Sequence, residues 1–238
     1  MGWRERLESR VEQGVAQAQS QARAIAASDT VQNASEGFRG FREMLADDGG
    51  PLKAEAYLLA LVRAVREDEE EDRSQRDLYV RARKRRRRLG LISFGAGPMV
   101  GVASRVADLY CETATVCDVA DFHDLGLDER QIGAQMLLFW SISDDLARAE
   151  AALRSEPPLV NLLTLKLAES SDVSLDGDLT RQSIVTALWE IQRMDLTDKV
   201  ADAKRAAKGE PIRSVAFTGH RTKKLIRKAE AQLGVNQA

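Results

Sequence analysis

Apolar residues recur every three or four positions along most of the chain, the repeat that lines one face of a helix, and no stretch reads as a strand. Trp3, Leu7, Val11, Val15, Ala18, Ala22 and Ile25 predict a first helix ending near Ala27. Its thin, alanine-rich face suits packing on the body or a short coiled coil, with a membrane-surface helix as the alternative. Ser28 to Gly40 reads as a loop in which Phe38 and Phe41 are candidate anchors, and the DDGGP sequence of Asp47 to Pro51 is a strong break. From Pro51 a second helix carries Leu58, Leu61, Val62 and Val65 on one stripe.

A helix from about Met99 to His123 follows from Val102, Val106, Leu109, Thr113, Val116 and Ala120, with Gly126 in the turn after it. Asp128, followed three residues later by Gln131, gives the next helix a capping box. Ile132, Met136, Phe139, Leu146, Ala149 and Leu153 continue its buried face until Pro157 and Pro158 stop it. These two elements make an αα-hairpin, the centre of the expected fold. Leu159 to Leu167 reads as a short helix, Ser170 to Asp178 as a loop, and Thr180 to Lys208 as a helix kinked near Asp195. The last segment sets Leu225, Ile226, Ala229 and Leu233 on one side. The expected architecture is all-α: a bundle of about seven or eight helices around the Met99–Leu153 hairpin, with no sheet. An N-terminal helix and loop over 1–46 precede a helical domain over 51–238.

Composition supports helices: the 238 residues are 44% apolar and 30% charged, with five prolines and 5% aromatics. The formal charge of -2 hides blocks of opposite sign. Glu67 to Asp72 is wholly acidic, and Arg73, Arg76 and Arg81 stand four residues beyond Glu69, Asp72 and Asp77, so 66–88 reads as a solvated charged helix or a linker. Arg81, Arg83, Lys84, Arg85, Arg86, Arg87 and Arg88 then run directly into the charge-free Leu89 to Ser104. Three readings fit the run: a solvated helix face, a site for anionic phospholipid headgroups with Phe94 as an apolar anchor, and a nucleic-acid footprint. The last lacks interleaved aromatic platforms. Lys223, Lys224 and Arg227 belong to a second basic cluster near the C-terminus. Leu89 to Ser104 is shorter than the roughly 20 apolar residues of a spanning helix. Gly97 and Gly101 in it form a GxxxG pair that suits close helix approach, and GAGPMVG lacks the preceding strand and lysine-serine pair of a nucleotide loop.

GAGPMVG, then ADLYCETATVCDVADFHDLGLDE, then a leucine-rich helix resembles the central part of the EcsC-like family of bacterial helical proteins, over Leu89 to Ile142. The resemblance rests on the glycines, on Asp108 within the long helix and on the LGLDE turn at Leu125 to Glu129. It implies association with membrane transport or secretion and no agreed biochemical activity. Members usually carry a second glycine-rich apolar stretch, for which the brief, polar IRSVAFTG at Ile212 to Gly219 is the nearest counterpart.

Candidate chemistry is sparse. Asp108 and Glu112 lie one helical turn apart, with Asp118, Asp121, His123 and Asp124 following, which raises a carboxylate-imidazole metal site and a metal-dependent enzyme as an alternative function. The Glu-x-x-His pairs of metal-bridging bundles are missing. Ser141 and Ser143 have no nucleophile elbow around them, and Cys111 and Cys117 read as buried small hydrophobes. Two cysteines without a framework and a charged N-terminus lead us to expect a cytoplasmic protein, at the inner face of the cell membrane if it binds lipid. The functional expectation is a non-enzymatic peripheral membrane or adaptor protein without a cofactor. Its expected partner is an anionic membrane surface or a membrane protein, with nucleic acid the weaker alternative and the N-terminal helix a route to a homo-oligomer. The expected contact residues are Arg83, Lys84, Arg85, Arg86, Arg87, Arg88, Phe94, Lys223, Lys224 and Arg227.

Overall fold

A computed structural model describes residues 53–69, 77–95, 100–168, 180–194 and 219–235, and among them every regular element is a helix. We number these α1 (Ala54–Glu69), α2 (Leu78–Gly95), α3 (Val100–Phe122), α4 (Glu129–Phe139), α5 (Leu146–Leu153), α6 (Leu159–Ala168), α7 (Arg181–Met194) and α8 (Gly219–Gln232). The bundle is all-α, as its periodicity requires. The expected N-terminal helix, the DDGGP break, the 170–178 loop, the continuation of α7 past Met194 and the Phe94 side chain lie outside the described residues.

Among the described residues the longest helix, α3, is the axis of the bundle, packed against α1, α2, α4, α7 and α8. Sequence periodicity gives it a single apolar stripe, yet every residue from 106 to 120 is buried. Five surrounding helices leave it no solvent side. Its small and β-branched residues, Ala107, Ala114, Val116 and Val119, let those neighbours close in, while Leu109 and Tyr110 fill the larger gaps. The hydroxyls of Thr113 and Thr115 donate to the carbonyls of Leu109 and Cys111 one turn earlier, at 2.9 and 2.7 Å, so neither is stranded in the core. Three carboxylates on the same buried stretch, Asp108, Glu112 and Asp118, need partners from elsewhere.

The predicted capping box is in place: the Asp128 carboxylate accepts from the Gln131 amide and the Gln131 side chain accepts from the Asp128 amide, both at 2.8 Å. The helix it starts is shorter than the periodicity suggests. It ends at Phe139, Asp145 caps a separate α5, and the two are joined through Ser141 in the left-handed region at φ 55°. There Ile142 donates to the Leu137 carbonyl and Ser141 to that of Leu138, the paired bonds of a Schellman ending. The same pairing closes α3 at Asp124 (φ 51°) and α5 at Ser155 (φ 62°). Polar non-glycine residues occupy all three positions, so the endings carry no glycine signal.

Of residues 66–88, 66–69 close α1 and 78–88 belong to α2, while 70–76 lie outside the described residues. α1 runs to Glu69, and α2 begins afresh where the Asp77 carboxylate accepts from the amides of Tyr79 and Val80. One hydrophobic cluster takes in Ala54 at its N-terminal limit and Ala229 at its C-terminal limit.

Candidate functional site

The seven basic residues from Arg81 to Arg88 all lie on α2, whose straight-chain arginines and lysine favour a helix. A period of 3.6 divides them. Arg85, Arg86, Ala82 and Leu89 are buried and Arg81 is half-buried, all on the side facing α3. Val80, Arg83, Lys84 and Arg87, spaced as i, i+3, i+4 and i+7, form an exposed ridge on the other side, and Arg88 is half-buried between the two.

On the inner side the arginines meet the carboxylates of α3. Asp118 receives two of them from successive turns: Arg81 Nη1 lies 2.8 Å from Oδ1, and Arg85 Nη1 lies 2.8 Å from Oδ2 with its Nη2 3.4 Å from Oδ1. Arg86 Nη2 donates to Asp108 Oδ1 at 3.1 Å. Two indoles complete the set, Trp189 Nε1 donating to Asp108 Oδ2 at 3.4 Å and Trp140 Nε1 to Glu112 Oε2 at 2.9 Å. The Arg105 guanidinium lies 5.0 Å from the Trp189 ring centroid and donates to the Thr186 hydroxyl, which ties α3 to α7. Three arginines thus face three carboxylates in a site where Arg85 and Arg86 keep 3% and 6% of their exposure.

Burial works against the Arg86 charge, but the pull of Asp108 and Glu112 and the Asp108 hydrogen bond hold the guanidinium charged and its pKa raised. The neighbouring Cys111 thiol is pushed up to about 11 by burial first, with Arg86 pulling the other way. It is a neutral thiol at physiological pH and not an activated nucleophile. The inner network is a set of charge pairs that fastens α2 to α3.

Of the expected contact residues, Arg83, Lys84, Arg87, Lys223, Lys224 and Arg227 are exposed and Arg88 is half-exposed. Arg85 and Arg86 belong to the core, because α3 offers carboxylates at their level. The two basic clusters, about 140 positions apart in sequence, meet in space because α8 packs on α2. Lys223 Nζ lies 5.3 Å from the centroid of the Tyr79 ring on α2, beside the exposed ridge.

The carboxylates weighed as metal ligands in the alternative reading have other partners. Asp108 and Glu112 are each held by an indole, Asp108 also by Arg86, and among the described residues no group of three or more His, Cys, Asp or Glu side chains converges to hold a metal. Ser143 is engaged with the backbone of Asp145, and Cys111 and Cys117 are buried free thiols. His123 meets Phe122 edge-on at 5.1 Å. A surface cavity of about 460 Å³ at the α3–α4 turn is lined by Arg81, Asp121, Phe122, Asp124 and Gly126. Among the described residues no helix is long and apolar enough to cross a membrane.

Sequence reasoning missed Trp140, Trp189 and Asp118 as partners of the basic run and its environment. A signal was present: three carboxylates within the apolar 106–120 stretch require counter-charges or donors, and the arginine run upstream offers several together. No family model, no curated protein and no solved structure matches the chain.

Proposed function

We propose that the chain is a non-enzymatic helical adaptor that docks on anionic membrane at the cytoplasmic face of a bacterial cell. One observation carries this reading: the inner arginines of α2 are neutralised by α3, while Arg83 and Arg87 remain exposed with Lys84 on a rigid ridge. On α2, the exposed positive charge is therefore displayed on the side away from α3. Each basic residue near an anionic bilayer contributes about 1 kcal/mol, and the exposed Val80 adds apolar surface to the same ridge. The resemblance to EcsC-like proteins favours the same setting, membrane transport or secretion. A metal-dependent reaction draws less support, since Asp108, Glu112 and Asp118 are engaged by arginines and indoles.

Sedimentation of the intact protein with phosphatidylglycerol-containing and with purely phosphatidylcholine vesicles tests the proposal. Binding is expected to the anionic vesicles alone and to weaken as salt is added. Arg83→Gln with Arg87→Gln should lower the partition coefficient about thirty-fold, at about 1 kcal/mol for each charge. Unchanged partitioning of that variant overturns the reading. So does a salt-dependent shift of nucleic acid by a protein that ignores both kinds of vesicle.

A further inference from the structure

Resting on that reading, we infer that α8 supplies the second half of the same docking surface, so that an anionic phospholipid bilayer is met by two basic ridges side by side. α8 buries Thr222, Leu225, Ile226 and Ala229, the i, i+3, i+4 and i+7 positions of one face, in the groove formed by α2, α3 and α4. Lys223, Lys224 and Arg227 are exposed on the opposite face.

Two ring contacts fix how that face is aimed. On one flank Lys223 Nζ stands 5.3 Å from the Tyr79 ring of α2, and on the other Lys228 Nζ stands 4.7 Å from the Phe139 ring of α4. The exposed ridge of α8 lies between those flanks and points away from the groove. Tyr79 is the seam, because Val80 follows it directly and Arg83 stands one turn further along α2. Arg83 and Arg87 on one side of the seam and Lys223, Lys224 and Arg227 on the other make a continuous cationic strip. A flat anionic surface complements such a strip, since it can reach both ridges at once without a groove to fit. Lipid contact with one ridge then brings the other within reach, and the losses caused by removing charge from each should multiply. Were the ridges on different faces, only one could touch the bilayer and neutralising the other would go unnoticed.

The test uses the intact chain and phosphatidylglycerol-containing vesicles. Lys223→Gln, Lys224→Gln and Arg227→Gln together should lower partitioning about a hundredfold, at roughly fivefold for each charge, and adding Arg83→Gln and Arg87→Gln should bring it to the level of phosphatidylcholine vesicles. If the α8 variant partitions like the parent while the α2 variant loses binding, the inference is wrong and the proposed function stands. If both variants bind like the parent, both readings fall. A second measurement does not rely on loss of binding: a fluorophore attached through Lys224→Cys should be quenched by a headgroup-level quencher on binding. The same label through Leu165→Cys, an exposed site on α6, should remain in water. The native thiols are buried and leave the introduced one to react. A Lys224→Cys label that stays in water on bound vesicles overturns the inference.

Discussion

Arg85 and Arg87 stand two residues apart in one helix and one basic run, yet the first is clamped to Asp118 in the core and the second is exposed. Residue type does not separate them. What does is a rotation of about 200° around α2, together with carboxylates planted at Asp108 and Asp118 on the helix it packs against. The inner half of the run is structural cargo with a balanced charge, and the outer half carries the excess. A charge run read as a unit therefore misstates both its strength as a surface and its role in stability.

The comparison breaks most visibly at Asp118. Asp118→Ala removes the buried carboxylate that Arg81 and Arg85 share, and we expect it to cost about 3–5 kcal/mol in urea unfolding. Replacing Arg81, Arg85 and Asp118 together with apolar residues of similar size should recover much of that loss, because the penalty comes from charge kept in a dry site after its shared carboxylate is gone. A mild effect of Asp118→Ala would mean that the inner half is as well solvated as the outer.

Cys111 sharpens the comparison by probing how dry the inner side is. Its thiol is raised from 9.0 to about 11 in the fold, so the folded state holds a proton that the unfolded chain releases first. The resulting stability is fully present below pH 9 and is lost as pH rises towards 11, a difference of about 2–3 kcal/mol at 1.36 kcal/mol per pH unit. Unfolding curves collected across that window should slope downwards for the parent, with a shallower slope for Cys111→Ala. An equal slope in both proteins would place the thiol in a wetter site.

The smallest expected effect lies on the outer side. Arg83→Gln with Arg87→Gln should leave the unfolding free energy within about 0.5 kcal/mol of the parent, since neither side chain holds a buried position. A larger loss would assign the ridge a part in the fold.

Local chemistry was legible wherever it was complete within a few residues. The capping box of Asp128 and Gln131 and the turn at Gly126 could be read directly, and so could the buried face of α8. The break after Phe139 could not, since the left-handed position falls on Ser141 and the apolar repeat passes over it to Leu146 without a change of phase. Nor could the burial of α3, where the surrounding helices come from both ends of the sequence. For the basic run, the helical period was present at Arg81, Arg85 and Leu89, but seven similar residues in a row hide any preference for one face. The positions of Asp108 and Asp118, 22 or more residues away, decide which side turns inwards.

Arg81 and Arg85 come from consecutive turns and grip the two oxygens of a single carboxylate, so together they fix the azimuth of α2 as well as its position. Turning the helix by one residue, about 100°, would carry both guanidinium groups off Asp118 at once. The heading of the outer ridge is thus set from inside the protein, by groups that never meet the surface it faces. A substitution in the core that preserved the fold but loosened this grip would alter the bearing of the surface charges without changing their number.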